Sequence, residues 1–435
     1  MKHIGLLLVV LCVSLVPVAG AQQAATKPVG KMWHLRHPLT NRTPRTPGVT
    51  ASQSFNAEAS LRHKAKIWEF GAYDGGTWAA LTDINDLGMA VGYGDVPPIG
   101  PDGAGSTHTL AVPVFGPHAG EWIDLGTLGG DQPMGWEEPF PIQISNTGLV
   151  ATHSTTPNGQ VHAAAWTKRS GMVDLGTLAD TGDPRYSNYN SSYAGATNRL
   201  GTLIVGWSGV DGAADAPVVW TPSLKWKNGE LVTKWKIHKL DTAGFPDLTG
   251  WQAWAVNDFG QIVAIAFNED ESIIISALWN PRPDGKGWKL MPLPPSPDYP
   301  VTLAFHINDR GQISGAVVSA DDSTWLPRFW KPLNTRRTKY TDPIELALPQ
   351  GFAGCESVGL NEVGDMTGDC YNDTTSLPVR WTTKNPSFSE IISFPGDWGF
   401  CWGINNHRTA VAFYGGGENC SADNYVSCGG ATQLH

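Results

Sequence analysis

The residues best equipped for chemistry in this chain are carboxylates lying beside aromatic rings. Trp136, Glu137 and Glu138 form one such group. Tyr186 stands in the segment 180–193, Trp251 closes the segment 241–251, Asp298 precedes Tyr299, Asp321 precedes Asp322, and Trp398 follows a short Pro-Gly-Asp run. An aromatic face attracts a cation or stacks on a pyranose ring, and carboxylates bind hydroxyls. These nine residues (Trp136, Glu137, Glu138, Tyr186, Trp251, Asp298, Tyr299, Asp321 and Trp398) are the candidate ligand-binding set. Glu137 and Glu138 alone make no acid/base couple. Adjacent strand residues point to opposite sides, and a retaining glycosidase needs two carboxyls about 5 Å apart.

Nucleophile and cofactor signatures are missing from the sequence. It holds no G-x-S-x-G, no H-E-x-x-H, no P-loop and no clean dinucleotide-binding phrase. His153, His162, His238, His306 and His407 fall at different repeat positions, and no CxxC spacing suggests zinc. No catalytic residue, metal or cofactor is therefore assigned.

What must position the candidates is a repeat. Ile84-Asn85-Asp86-Leu87-Gly88 recurs as versions beginning at Ile144, Thr197, Val256, Ile307, Leu360 and Ile404, with steps of 60, 53, 59, 51, 53 and 44 residues. Asn opening a type I turn caps it with its side chain, and Gly at the fourth position accepts positive φ. Alternating residues flank the phrase, which is a hairpin signature. The Asn and Asp residues are thus read as turn formers, not metal ligands. A third strand ends in Phe115, Trp166, Trp220, Trp279, Trp330 or Trp381, read as wedges between modules. A fourth runs through Trp122–Gly126, Met172–Gly176 and weaker copies at Ile237, Trp288, Ile344 and Ile391.

Four strands per unit, repeated seven times, predict an all-β protein. The architecture is a β-propeller of seven blades, each of four antiparallel strands. Ile67–Gly71 matches a fourth strand, and the chain stops after a stretch, Asn424–Ser427, in the third-strand position. The N-terminal strand is expected to complete the last blade and close the ring.

The ends carry other signals. Residues 1–21 read as a secretory signal peptide, with an apolar run from Ile4 to Val16 and Ala19-Gly20-Ala21 as the cleavage site. Residues 22–65 read as a flexible basic leader, and 66–435 as one propeller domain. Five cysteines remain after the signal, all late in the chain: Cys355, Cys370, Cys401, Cys420 and Cys428. Export makes them candidates for disulfides. Cys355 and Cys370 lie symmetrically about one hairpin turn, and the other three belong to the seventh blade. A net charge of −10 argues against nucleic acid as partner, and no stretch after the signal is long enough to span a membrane.

With its phrases assembled, the chain resembles the HAF-type extracellular repeat proteins of bacteria. Trp122-Ile123-Asp124-Leu125-Gly126-Thr127-Leu128-Gly129-Gly130 is a near-complete copy of their Asp-Leu-Gly-Thr-Leu-Gly-Gly phrase, and Asp174–Leu178 is a second. His162-Ala163-Ala164 stands for the name-giving triplet. The resemblance covers roughly 66–430 and implies export and a repeat fold, without a reaction. The expected function is a secreted, non-catalytic binding or scaffold module. Its ligand, a polysaccharide or a surface protein, would meet the face with long irregular loops, opposite the Asn turns. The alternative is a carbohydrate-active hydrolase or lyase with acidic loop residues at the channel mouth.

Overall fold

Each Asn-x-x-Gly phrase folds as the residue types dictate. In a computed structural model, which describes residues 66–98, 106–130, 142–210, 215–227, 230–394, 396–415 and 428–434, the Asn85 Oδ1 accepts from the N–H groups of Leu87 and Met89 at 3.1 and 2.9 Å. Asn257, Asn308, Asn361 and Asn405 repeat this pair of bonds. Gly88 closes its turn at φ 79°, a conformation that costs a Cβ-bearing residue about 1 kcal/mol. In the last copy Arg408 occupies that position at φ 62°, and its guanidinium is held by Asp365 at 2.9 Å.

These turns join the inner two strands of seven four-stranded antiparallel sheets. Blade 1 comprises Ala79–Ile84, Met89–Val96, Ser106–Pro113 and Ile123–Gly126. Blades 2 to 6 span 143–174, 191–239, 250–292, 301–345 and 354–391. Blade 7 takes Trp398–Ile404, Thr409–Gly415 and Cys428–Gln433 from the C-terminal end and Ile67–Gly71 from the N-terminal end. The strand Ile67–Gly71 pairs antiparallel with Cys428–Gln433, so the expected closure forms. The third strand of this blade lies after Asn424–Ser427, a stretch outside the described residues. The fourth strand of blade 6 is Asn385–Ile391 and not the stretch from Ile391 onward. As an outermost strand it is largely exposed, so it lacks the apolar alternation that the sequence pattern needs.

The core lies between blades. Trp220, Trp279, Trp330 and Trp381 are fully buried in third strands, and in blade 3 the strand Asp215–Lys227 runs on beyond Trp220 and does not end there. Three of them staple adjacent repeats: the indole N–H groups of Trp279, Trp330 and Trp381 donate to the carbonyls of Asp241, Pro294 and Ala347. All three acceptors lie just beyond the preceding blade. Truncating such a residue to Ala costs about 3–5 kcal/mol. Trp166 is partly buried. Phe115 departs from the pattern: it lies beyond its strand, stays 39% exposed, and meets Trp68 of the closing strand edge to face at 5.1 Å.

A β-bulge recurs three residues before the turn Asn in six first strands, at Thr82, Gly195, Trp254, Phe305, Val358 and Trp402. One extra residue per inner strand sharpens its bend and re-aims a side chain.

Cys355 and Cys370 are register partners and form a disulfide. Cys401 does not join it: the thiol is free, buried, and pushed up to about 12 by that burial. This removes one of the three cysteines expected to bridge blade 7. Cys420 and the Cys428 side chain lie outside the described residues, as do the signal and leader segments.

Candidate functional site

Antiparallel order sorts the connections onto two faces. First-to-second and third-to-fourth links leave one face, hereafter the turn face. Second-to-third and fourth-to-first links leave the other, the loop face.

One group of ionisable side chains converges at the axis, on the turn face. The amide of each turn Asn works in two directions. Its oxygen holds its own turn, and its nitrogen donates to the next blade. Asn85 Nδ2 donates to the Ser145 carbonyl, Asn257 to Asn308, Asn308 to Asn361, Asn361 to Asn405, and Asn405 back to Asn85, all at 2.9–3.0 Å. The second residue of the phrase accepts from the preceding blade. Asp309 takes the Asp258 N–H, Glu362 that of Asp309, Asn406 that of Glu362, and Asp86 that of Asn406. Blade 2 has Ser145 where the others have Asn. Its hydroxyl holds the turn through the Leu149 N–H but supplies no second donor toward blade 3. There the backbone N–H of Asn146 bonds to the Arg199 carbonyl instead. From blade 3 to blade 4 the link runs through Asn198 Nδ2 and Asp258. All seven interfaces are thereby bridged.

Arg199 crosses the axis. Its guanidinium lies 2.6 Å from Asp86 and 3.6 Å from Glu362. Around it, Asp83, Asp86, His306, Asp309 and Glu362 help line a cavity of about 60 Å³, room for a few waters. Burial against this small enclosure pushes the Asp83 carboxyl up to about 7, partly opposed by the Ile144 N–H that it accepts. Burial likewise raises Asp309 and Glu362. For Asp86 burial is outweighed by the N–H of Asn406, the amides of Asn146 and Asn406, and Arg199, so its pKa falls. His306 is lowered to about 4 by burial, and its Nδ1 has no hydrogen-bond partner among the described residues, so it is neutral at pH 7. By residue type these positions are expected to form turns alone. The further signal is that a turn needs only an acceptor at its first position, whereas six of the seven copies place an amide there that also donates.

The described loop-face candidates fall in separate segments of the chain. Tyr186 ends a short 3-10 turn and contacts Tyr189 at 5.3 Å and the Arg185 guanidinium at 5.4 Å. Asp298 is exposed beside Tyr299, whose ring lies 5.9 Å from the Arg328 guanidinium. Asp321 accepts from the Ser319 and Ser323 hydroxyls and the Ser323 N–H, which hold its carboxyl down at about 2. Trp398 is half-buried against Phe400 and Phe413. Trp251 is only 2% exposed. Its indole lies between Phe245 and Trp279 and offers no free face to a ligand. Trp136, Glu137 and Glu138 lie outside the described residues. Among the described residues no group of three or more His, Cys, Asp or Glu is placed to hold a metal ion.

The Asp-Leu-Gly phrases also acquire a physical role. His108 Nδ1 lies 2.7 Å from Asp124, and His162 Nδ1 lies 2.9 Å from Asp174. Each Asp also caps the following Gly N–H at 2.7 Å. The third-strand His and the Asp of Asp-Leu-Gly therefore pin the two outer strands together.

Neither a protein-family model nor a curated protein matches this sequence. Among solved structures, the propeller domain of the Trilobed protease from Pyrococcus furiosus is similar, with a TM-score of 0.46, 9% identity, and coverage of 78% of this chain and 90% of that one. TolB from Acinetobacter baumannii follows at 0.40, 8%, 70% and 64%. Trypanosoma rangeli sialidase gives 0.37, 9%, 86% and 59%. The chain thus spans less than two thirds of the length of the latter two, and likenesses of this size concern the fold alone. Among the described residues no helix is long and apolar enough to cross a membrane. The chain is a seven-bladed β-propeller, closed by its own N-terminal strand.

Proposed function

We propose that the protein is an exported, HAF-type, non-catalytic binding or scaffold module whose ligand meets the loop face. One observation carries this reading: the ionisable groups that converge at the axis are engaged in joining blades around a cavity of about 60 Å³. On the loop face, carboxylates and aromatic rings are spread over separate blades, as suits a broad contact with a polysaccharide or a surface protein. Its charge is one-sided. Asp241, Asp247, Glu269, Asp270, Asp298, Asp321, Asp373 and Asp397 are exposed there, and Arg185 is the one Lys or Arg in its described loops. The partner is accordingly neutral or cationic. The disulfide Cys355–Cys370 suits an oxidising compartment.

The test is an array of extracellular glycans and cationic surface proteins, read for binding and for turnover. Binding without turnover that weakens about tenfold in Tyr299→Ala or Trp398→Ala supports the reading. Product formation from any glycan sinks it.

A further inference from the structure

The turn face has a chemistry of its own. The repeat is interrupted there by one long hairpin: the third and fourth strands of blade 3, Asp215–Lys227 and Glu230–Lys239, outrun those of the other blades. Its register places Pro222 opposite Trp235 and Leu224 opposite Thr233, so Leu224, Trp226 and Trp235 share one side. Lys225, Lys234 and Lys236 fall on the other, all exposed. Nearest the blade, Trp235 packs into the core. Farther out, Leu224 and Trp226 are 66% and 76% exposed.

The same face bears the third residue of each Asn phrase around the channel mouth. Leu87 is 76% exposed and Phe259 61%, with Leu200 and, on the blade 5 link, Leu333 also exposed. Basic side chains stand among them: Lys168 and Arg169 at the tip of blade 2, Arg310, Lys331, Arg336 and Lys339 in blade 5. Several of the acidic groups here, Asp86, Asp258, Asp309 and Glu362, are tied into the axial ring.

We propose that the turn face docks onto an anionic phospholipid surface, with Trp226 and Leu224 entering the headgroup region and the lysines meeting lipid phosphate. Three features favour lipid over an acidic protein. The apolar groups are single tips on separate loops, which a fluid surface can accept, whereas protein partners use packed pockets. Trp beside Lys is the composition of a membrane–water boundary. The chain as a whole carries −10, so an anionic plane attracts it in one orientation only, turn face down and acidic loop face outward. This attachment is peripheral and leaves the loop face free for the ligand of the preceding section, on which it does not depend.

The experiment is flotation of the purified full chain with phosphatidylglycerol vesicles and with phosphatidylcholine vesicles. The parent floats with the first and at least about tenfold less with the second, and rising salt weakens it. Leu224→Ser with Trp226→Ser, and separately Lys225→Glu with Lys234→Glu and Lys236→Glu, each reduce flotation about tenfold or more. Asp298→Asn with Asp321→Asn leaves it unchanged. All variants keep residues 1–65, so their differences read the turn face, and unchanged circular dichroism confirms folding. Flotation equal in parent and turn-face variants overturns the proposal. So does no flotation with phosphatidylglycerol while immobilised polyglutamate retains the parent through the same lysines.

Discussion

The two faces of this ring are built from the same repeat and use their carboxylates in opposite ways. On the turn face, Asp86, Asp309 and Glu362 accept backbone N–H groups from a neighbouring blade, and Asp86 and Glu362 share Arg199. On the loop face, Asp321 and Asp270 accept from serines within two residues of themselves. A carboxylate bonded across a blade interface holds the ring; one bonded within its own turn shapes a loop and lends its charge to the surface. The difference teaches that the repeated face supplies closure and the irregular face supplies variety.

Substitutions can break this comparison. The largest effect is expected at Asn405→Ala, which removes a donor to Asn85 and two bonds within its own turn at the seam of the ring. A loss of about 3 kcal/mol follows from two buried hydrogen bonds, one partly buried and an orphaned carbonyl. Equilibrium urea unfolding measures it, and a loss no greater than that of a loop-face variant would dissolve the distinction. Arg199→Met ranks next, at about 1 kcal/mol, discounted because the guanidinium is partly solvated. It should raise Glu362 further, seen as a steeper pH dependence of unfolding.

The pH profile sets Asp83 on the turn face against Asp321 on the loop face. Asp83 is raised to about 7, with Asp309 and Glu362 moved the same way. The folded state therefore holds protons that the unfolded chain releases, so their contribution is complete below about pH 4 and is lost as pH rises toward 7. Asp321 is held at about 2, so its contribution is present above pH 4 and is lost as pH falls toward 2. Melting temperature against pH for Asp83→Asn should lose part of its fall between pH 4 and 7; an unchanged slope would remove Asp83 from the axial group. The smallest effect is expected at Asp321→Ala, a shift of about 1 °C or less at pH 7.

Much of the fold was legible because its determinants are local. Asn followed three residues later by Gly makes a turn by its own residue types in five copies, and the variants Ser145–Gly148 and Asn405–Arg408 keep the spacing, so seven phrases count seven blades. Trp279 and Trp330 at fixed spacing announced a packed wedge. The outer strand Asn385–Ile391 was misplaced because an exposed strand carries no alternation. The ligand candidates were less legible. Trp251 looks the same in sequence whether it roofs a loop or fills a core, and its burial between Phe245 and Trp279 depends on how blade 4 meets its neighbours.

The sequence by itself determined the turns, the strand order and the closure by Ile67–Gly71, because each follows from residue type and spacing within one repeat. Only the tertiary structure decided that the free half of each Asn amide reaches the next blade, and that Asn405 completes the circle with Asn85 across 320 residues. It also decided that the tips Leu224, Trp226, Lys225 and Lys234 share one face while Asp241, Asp270, Asp298 and Asp321 are exposed on the other. Local propensity fixes the form of a turn. What that turn touches is fixed by the curvature of the assembled ring, which no single repeat contains.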